Sequence, residues 1–399
     1  MLTHSKSFSI TILVIAEMAG MILWFSTAAV LPDMTREVAV SEARQAWLSS
    51  GVQAGFVIGA LFVAITGIAD RFDPRLVFFF SALCAAVANL GLLVAPLGGD
   101  VAIGLRVFTG AMLAGVYPIG MKIAFGWGSK DRGVLVGLLV GGLTLGKSLP
   151  YLLAFAGGAS WRITIVATSI IAIFGGLMVL AVGLGPGHVR AVSFDPSSIK
   201  LAWMDRKIRG AYLGYLGHMW ELFVFWAWIA AASSASYAFS MDQHGAQSLG
   251  KLTAFLAIAL GAPACVIAGI WADKIGKAEV TLAALVLSGS AAILTALSFG
   301  GPVWITFALI LVWGIAIIPD SAQFSAIVAD NAPPHLSGSL LTLQTALGFT
   351  MTIATVQLTP IAATAFGWPT VLAALALGPI AGIVAMLPLR RSRQDAQRL

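Results

Sequence analysis

Stretches of about twenty mostly apolar residues recur from one end of this 399-residue chain to the other. A helix of that length crosses roughly 30 Å of hydrocarbon, and no water-soluble core absorbs so many of them. Charged residues make up 10% of the chain, against about 25% in soluble domains. The fold class expected is an all-α membrane protein, and soluble enzymes, nucleic-acid binders and secreted disulfide scaffolds are excluded. The net charge of +6 fits cationic loops that orient membrane proteins, not a nucleic-acid partner. Cys84 and Cys265 fall inside apolar spans and read as small buried hydrophobes.

Turn residues and charges divide the chain into twelve expected spans, near 8–31, 48–69, 76–96, 101–123, 133–156, 161–184, 209–235, 248–271, 279–299, 302–326, 337–359 and 367–389. The first contains Glu17 and is too long for a signal-peptide core, so it reads as a retained span. The longest polar stretch sits at the centre and reads as a linker, residues 186–208, between an N-terminal six-helix bundle, 1–185, and a C-terminal one with a short basic tail, 209–399. With the N-terminus inside, seventeen Lys and Arg fall in inner segments and only Arg36, Arg44, Arg162 and Lys251 in outer ones. That asymmetry places both termini in the cytoplasm, with the chain in the cytoplasmic (inner) membrane.

The two halves repeat. Ala69-Asp70-Arg71 recurs as Ala272-Asp273-Lys274 at an offset of 203, Glu17 as Glu221 at 204, and Pro118 to Gly137 matches Pro319 to Gly338, each nineteen residues. Such duplication is a mark of transporter folds. Pro118 and Pro319 read as kinks, tolerated where neighbours satisfy the freed carbonyls.

On these residues the chain resembles the major facilitator superfamily over essentially its full length. The loop Gly67-Ile-Ala-Asp70-Arg71-Phe-Asp73-Pro74-Arg75 is similar to that family's Gly-x-x-x-Asp-Arg-x-Gly-Arg signature, with Asp73 where Gly is usual. Gly269-Ile-Trp-Ala-Asp273-Lys274-Ile-Gly276-Lys277 is a closer copy, and Arg106-Val-Phe-Thr-Gly110 is similar to the family's intramembrane Arg motif. The resemblance implies twelve helices in two pseudo-symmetric six-helix bundles, alternating access, and spans one, four, seven and ten around a central cavity. It also implies a conformational latch of Asp70, Arg71, Arg75, Asp273, Lys274 and Lys277. Read without the resemblance, these charges orient loops. The family's antiporter motif in span five, Gly-Pro-x-x-Gly-Gly, is replaced by Gly146-Lys147-Ser148-Leu149-Pro150.

A charge at the bilayer centre costs at least about 2.5–3.5 kcal/mol, so each intramembrane ionisable group is a functional candidate. They are Glu17, Arg106, Lys147, Glu221 and Asp320, with His218 three residues before Glu221 and able to share its face. Glu17 and Trp24, Glu221 and Trp228, and Trp313 and Asp320 are each seven residues apart, which on continuous helices sets a layer of acids beneath a layer of indoles. Tyr117, three turns beyond Arg106, shares its face.

The expected function is secondary active transport of a small polar or anionic organic solute. Glu17, His218, Glu221 and Asp320 are the proton-coupling candidates; Trp24, Arg106, Tyr117, Lys147, Trp228 and Trp313 are the substrate-binding candidates. The alternative is proton-driven efflux of amphipathic cations, drawn to the acids and indoles. No cofactor, metal cluster, nucleotide loop or nucleophile triad is legible, so an enzyme is not expected. The partners expected are the solute, protons and the lipid bilayer, with the protein a monomer.

Overall fold

A computed structural model describes residues 5–128, 132–157, 160–186, 197–333 and 336–396. Eleven segments are long and apolar enough to span a membrane: Lys6–Glu37, Glu42–Val63, Pro74–Gly91, Asp100–Trp127, Val134–Ala156, Trp161–Val179, Gln243–Ile275, Lys277–Leu297, Val303–Asn331, Ser337–Phe366 and Trp368–Arg390. A twelfth helix, Arg206–Tyr237, has 32 residues, about 48 Å at 1.5 Å per residue. It is the expected seventh span. Its polar content (Tyr212, Tyr215, His218, Glu221, Ser233) lowers its hydropathy, and most of it is buried among protein. The twelve helices form two six-helix bundles. Of the expected linker, residues 187–196 lie outside the described residues, and Ser197–Met204 is a short helix.

Twelve crossings put both chain ends, the central linker and the two signature loops on one side, called here the terminal face; the other is the distal face. The family-like loops begin as expected. Gly67 takes φ 64, a left-handed conformation suited to glycine. Asp73, in place of the usual Gly, caps the third span by accepting from the Arg75 N–H at 2.9 Å.

Four spans are interrupted toward the midplane, the twelfth at Ala376 and the others more broadly. Spans four and ten break at 114–116 and 318–320, beside Pro118 and Pro319. Tyr117 opens the second half of one and Asp320 caps the second half of the other, an offset of 203. Span one breaks at 22–25, with no proline to announce it, and its pseudo-symmetric partner, span seven, is unbroken.

Close packing within each bundle rests on glycine. A Cβ on Gly55 would sit 1.8 Å from the Val107 carbonyl oxygen, one on Gly110 2.0 Å from that of Val52, and one on Gly314 2.1 Å from that of Ala257. Spans two and four, and spans eight and ten, therefore touch backbone to backbone. Gly146 brings span five against Met18 of span one in the same way, 2.3 Å from its carbonyl oxygen.

Among the described residues, side-chain hydrogen bonds between the halves gather toward the distal face. Lys251 Nζ reaches Asp33 Oδ2 at 2.5 Å, both side chains buried. Gln357 donates to Ser50 Oγ at 2.7 Å and Thr364 to Glu42 at 2.8 Å. Deeper in, the Tyr151 hydroxyl donates to the Trp226 carbonyl. On the terminal face the signature loops hold their own halves: Arg75 pairs with Asp73 at 2.6 Å and Lys277 pairs with Asp330. The chain is closed distally.

Candidate functional site

Lys147 lies on span five, one residue beyond the Gly146 contact with Met18, and is 2% exposed. Its ammonium sits 4.1 Å from the Trp24 ring centroid and 4.9 Å from those of Phe223 and Trp226, all within cation–π range. No carboxylate comes within 4.0 Å of it among the described residues. The box belongs to both halves: Trp24 is on span one, Phe223 and Trp226 on span seven. Further rings extend it across the seam, with Trp24 and Phe56 at 5.1 Å, Phe56 and Phe349 at 4.8 Å, and Phe223 and Phe349 at 5.2 Å.

Glu17 is fully buried and lies within electrostatic reach of Lys147. Both its carboxyl oxygens lack a hydrogen-bond partner among the described residues. One points at Gly120 of span four, where a Cβ would stand 3.1 Å away. Trp24 Nε1 is likewise buried and unpartnered. Two turns of continuous helix were expected to align Glu17 with Trp24. The break at 22–25 intervenes, and Trp24 meets Lys147 instead. Tyr117, half-buried, stands within electrostatic reach of Glu17 in its own half and of Tyr215 and Cys265 in the other.

Arg106 lies away from the seam. Its Nε donates to the Leu48 carbonyl at 3.3 Å, Nη1 to Leu23 O, Ser26 Oγ and Asn89 Oδ1 at 3.3, 3.2 and 3.1 Å, and Nη2 to Leu23 O and Trp24 O at 3.2 and 2.8 Å. The Leu23 and Trp24 carbonyls are those freed where span one breaks. Asn89 is fixed in turn by Ser169 of span six at 3.0 Å. The guanidinium satisfies backbone that no helix satisfies, which is what an interrupted span requires in hydrocarbon.

In the C-terminal half the acids separate. His218 was expected beside Glu221, but its Nδ1 approaches Asp320 Oδ1 to 2.9 Å, both side chains buried. The approach lies off the N–H direction, so neither atom has an aligned hydrogen bond. Tyr215 stacks on the imidazole at 6.0 Å and Phe324 closes the other side at 5.9 Å. Glu221 turns into its own bundle, accepting from Ser288 Oγ at 2.7 Å and from Trp313 Nε1 at 3.3 Å. Trp313 therefore stands level with Glu221 and not two turns away from every acid. Trp228 donates to the Val356 carbonyl at 3.2 Å, outside the Lys147 box.

Of the latch candidates, the Asp70 side chain lies outside the described residues. Arg71, Asp273 and Lys274 are exposed, while Arg75 also donates to the Val182 carbonyl at 3.2 Å. Phe223, Trp226, Asn89 and Ser288 were not singled out from the sequence. The run Phe223-Val-Phe-Trp226-Ala-Trp228 held the signal, but helical spacing alone favoured Trp228.

A family model described as Major Facilitator Superfamily matches residues 13–349. The chain belongs to the major facilitator superfamily of membrane transporters. Two solved structures share its fold. One is a bacterial homolog of the human lysosomal transporter Spinster, in an inward-facing and unoccupied conformation, 14% identical, covering 96% of this chain and 95% of that one with a TM-score of 0.68. The other is a point mutant of the nucleoside transporter NupG, 13% identical, covering 95% of this chain and 99% of that one with a TM-score of 0.72. No curated protein matches the sequence.

Proposed function

We propose that this transporter moves a small organic anion across the cytoplasmic membrane by alternating access, as a monomer, with both termini in the cytoplasm and Lys147 as the anchor for the anion. The observation that carries the reading is the Lys147 ammonium itself: buried at the seam between the halves, faced by rings and, among the described residues, by no carboxylate within ion-pair distance. A buried cation without a counter-charge in ion-pair contact is costly, and a solute carboxylate arriving at the seam supplies one. The buried Trp24 N–H, without a partner among the described residues, offers a second donor to the same anion.

Protons enter through Glu17 and through the His218–Asp320 pair. Ionised Glu17 competes with a solute anion for Lys147. Protonated, it leaves the ammonium to the solute, so proton and anion bind together and travel together. In the other half, His218 and Asp320, with Nδ1 and Oδ1 2.9 Å apart, form the second site in this reading. Arg106 and Glu221, whose polar atoms are engaged within their own bundles, take structural roles in this reading.

The test is uptake into proteoliposomes of acetate, lactate, benzoate, choline and tetraphenylphosphonium, with and without an inward proton gradient. Gradient-stimulated anion flux is expected, at least about tenfold lower in Lys147→Ala, the change that follows from losing about 1.4 kcal/mol of anion binding. Undiminished anion flux in that variant rejects the anchor. One observation favours the second reading, cation efflux: Trp24, Phe223 and Trp226 already surround a cation. On that reading Lys147→Ala gains tetraphenylphosphonium flux.

A further inference from the structure

Only one of the three rings around Lys147 shares its half. Lys147 on span five and Trp24 on span one belong to the N-terminal bundle, while Phe223 and Trp226 are carried by span seven of the other. The Trp226 backbone is tied to the same seam, since its carbonyl accepts from the Tyr151 hydroxyl one turn beyond Lys147 on span five. Phe349 of span eleven backs Phe223 at 5.2 Å and Trp24 at 5.7 Å. Distal to these rings lie the Lys251–Asp33, Gln357–Ser50 and Thr364–Glu42 contacts that join the bundles. Opening the distal face separates span one from span seven, and so withdraws Phe223 and Trp226 from the ammonium while leaving Trp24 in place.

We infer that Lys147 is handed between two partners as the bundles move: a solute anion when the distal face is open, and the rings of Phe223 and Trp226 when it is closed. This rests on the reading of Lys147 as the anion's anchor and adds to it a direction and a means of release. Cation–π contacts are strongest when desolvated, so the rings compete with the anion only once distal closure has expelled water from the box. The anion is held tightly in the distally open state and weakly in the distally closed one. Loading from the distal face and discharge toward the terminal face follow, which is uptake. Phe223 and Trp226 are positioning residues that act on the solute through Lys147.

The experiment needs no knowledge of the natural solute. Purified full-length protein is treated with trinitrobenzenesulfonate, itself a planar organic anion that modifies amines, and Lys147 labelling is followed by peptide mass spectrometry, with exposed Lys274 as internal reference. Two kinds of variant are compared with the parent. Phe223→Leu and Trp226→Leu remove the rings. Lys251→Asp leaves the box intact and sets a second acid against Asp33, forcing the distal face open. Lys147 labelling is expected to rise at least about tenfold relative to Lys274 in both kinds. If it is unchanged in Lys251→Asp, the inference is overturned whatever the ring variants do. Loss of anion flux in Lys147→Ala together with unresponsive labelling rejects the hand-over and keeps the anchor. Responsive labelling with intact flux in Lys147→Ala rejects the anchor, and the hand-over of a solute with it.

Discussion

Arg106 illustrates how an intramembrane charge serves structure as readily as transport. Its donors meet the carbonyls of Leu23, Trp24 and Leu48 and the side chains of Ser26 and Asn89. Stranding a buried carbonyl costs about 1–3 kcal/mol, and the Trp24 carbonyl is stranded in Arg106→Ala, whereas Leu23 keeps Ser26 and Leu48 keeps Thr27 as donors. That variant is expected to lose about 1–3 kcal/mol, read as a fall in detergent melting temperature. Arg106→Lys is expected to recover less than half, because an ammonium does not span carbonyls on two helices with a rigid fork. At this scale the sequence was informative about which residues are unusual and much less about what they touch. Glu17, Arg106, Lys147, His218, Glu221 and Asp320 were all legible as buried polar groups, and all are buried. Helical spacing predicts partners on the same helix, so it paired His218 with Glu221. The actual neighbour, Asp320, comes from span ten, and contacts between helices leave no trace in spacing.

At the scale of the helix, glycine sets how closely spans approach. Gly55→Ala drives a Cβ into the Val107 carbonyl and is expected to cost about 1–3 kcal/mol through displacement of span two from span four. Gly137→Ala, where nothing lies within 4 Å, is expected to leave the melting temperature unchanged or raise it slightly by helix propensity. Comparing the two variants by thermal unfolding separates packing from propensity. Span eight adds a pH-dependent end. Asp242 accepts from the Gly245 N–H at 3.0 Å, and this bond holds its carboxyl below the ordinary aspartate range. The cap's contribution is present above the ordinary aspartate pKa of about 4 and is lost as pH falls through the lowered value. Asp242→Asn is expected to flatten that acid limb of the melting curve. Span positions and the repeat were legible because apolar length and duplicated motifs are properties of the chain alone. The break in span one was not, because its stabilising groups, Arg106 and Asn89, lie more than sixty residues downstream.

For the molecule as a whole, the buried Asp33–Lys251 pair is the one ion pair between the halves among the described residues. Removing Lys251 leaves the buried Asp33 with only the 3.4 Å contact from half-exposed Arg36, at a cost below the roughly 3–5 kcal/mol of a fully stranded charge. Lys251→Ala therefore biases the molecule toward distal opening, where Asp33 regains water. With Ser50→Cys as reporter, labelling by a membrane-impermeant maleimide is expected to rise several-fold in Lys251→Ala. The reversed pair Asp33→Lys with Lys251→Asp is expected to restore protection.

The interrupted first span also bears on how the protein is made. Its break is held by groups that are synthesised later: the Arg106 guanidinium of span four, which donates to it, and the Asn89 amide oxygen of span three, which accepts from Ser26. When the first segment leaves the ribosome, a broken span would leave the Trp24 carbonyl without its Arg106 donor in lipid, and the segment is more stable as an unbroken helix. The break forms only after Arg106 has entered the membrane. A defect at Arg106 is therefore a defect of biogenesis first: the nascent chain would linger at the insertion machinery and meet quality control before any solute is offered to it.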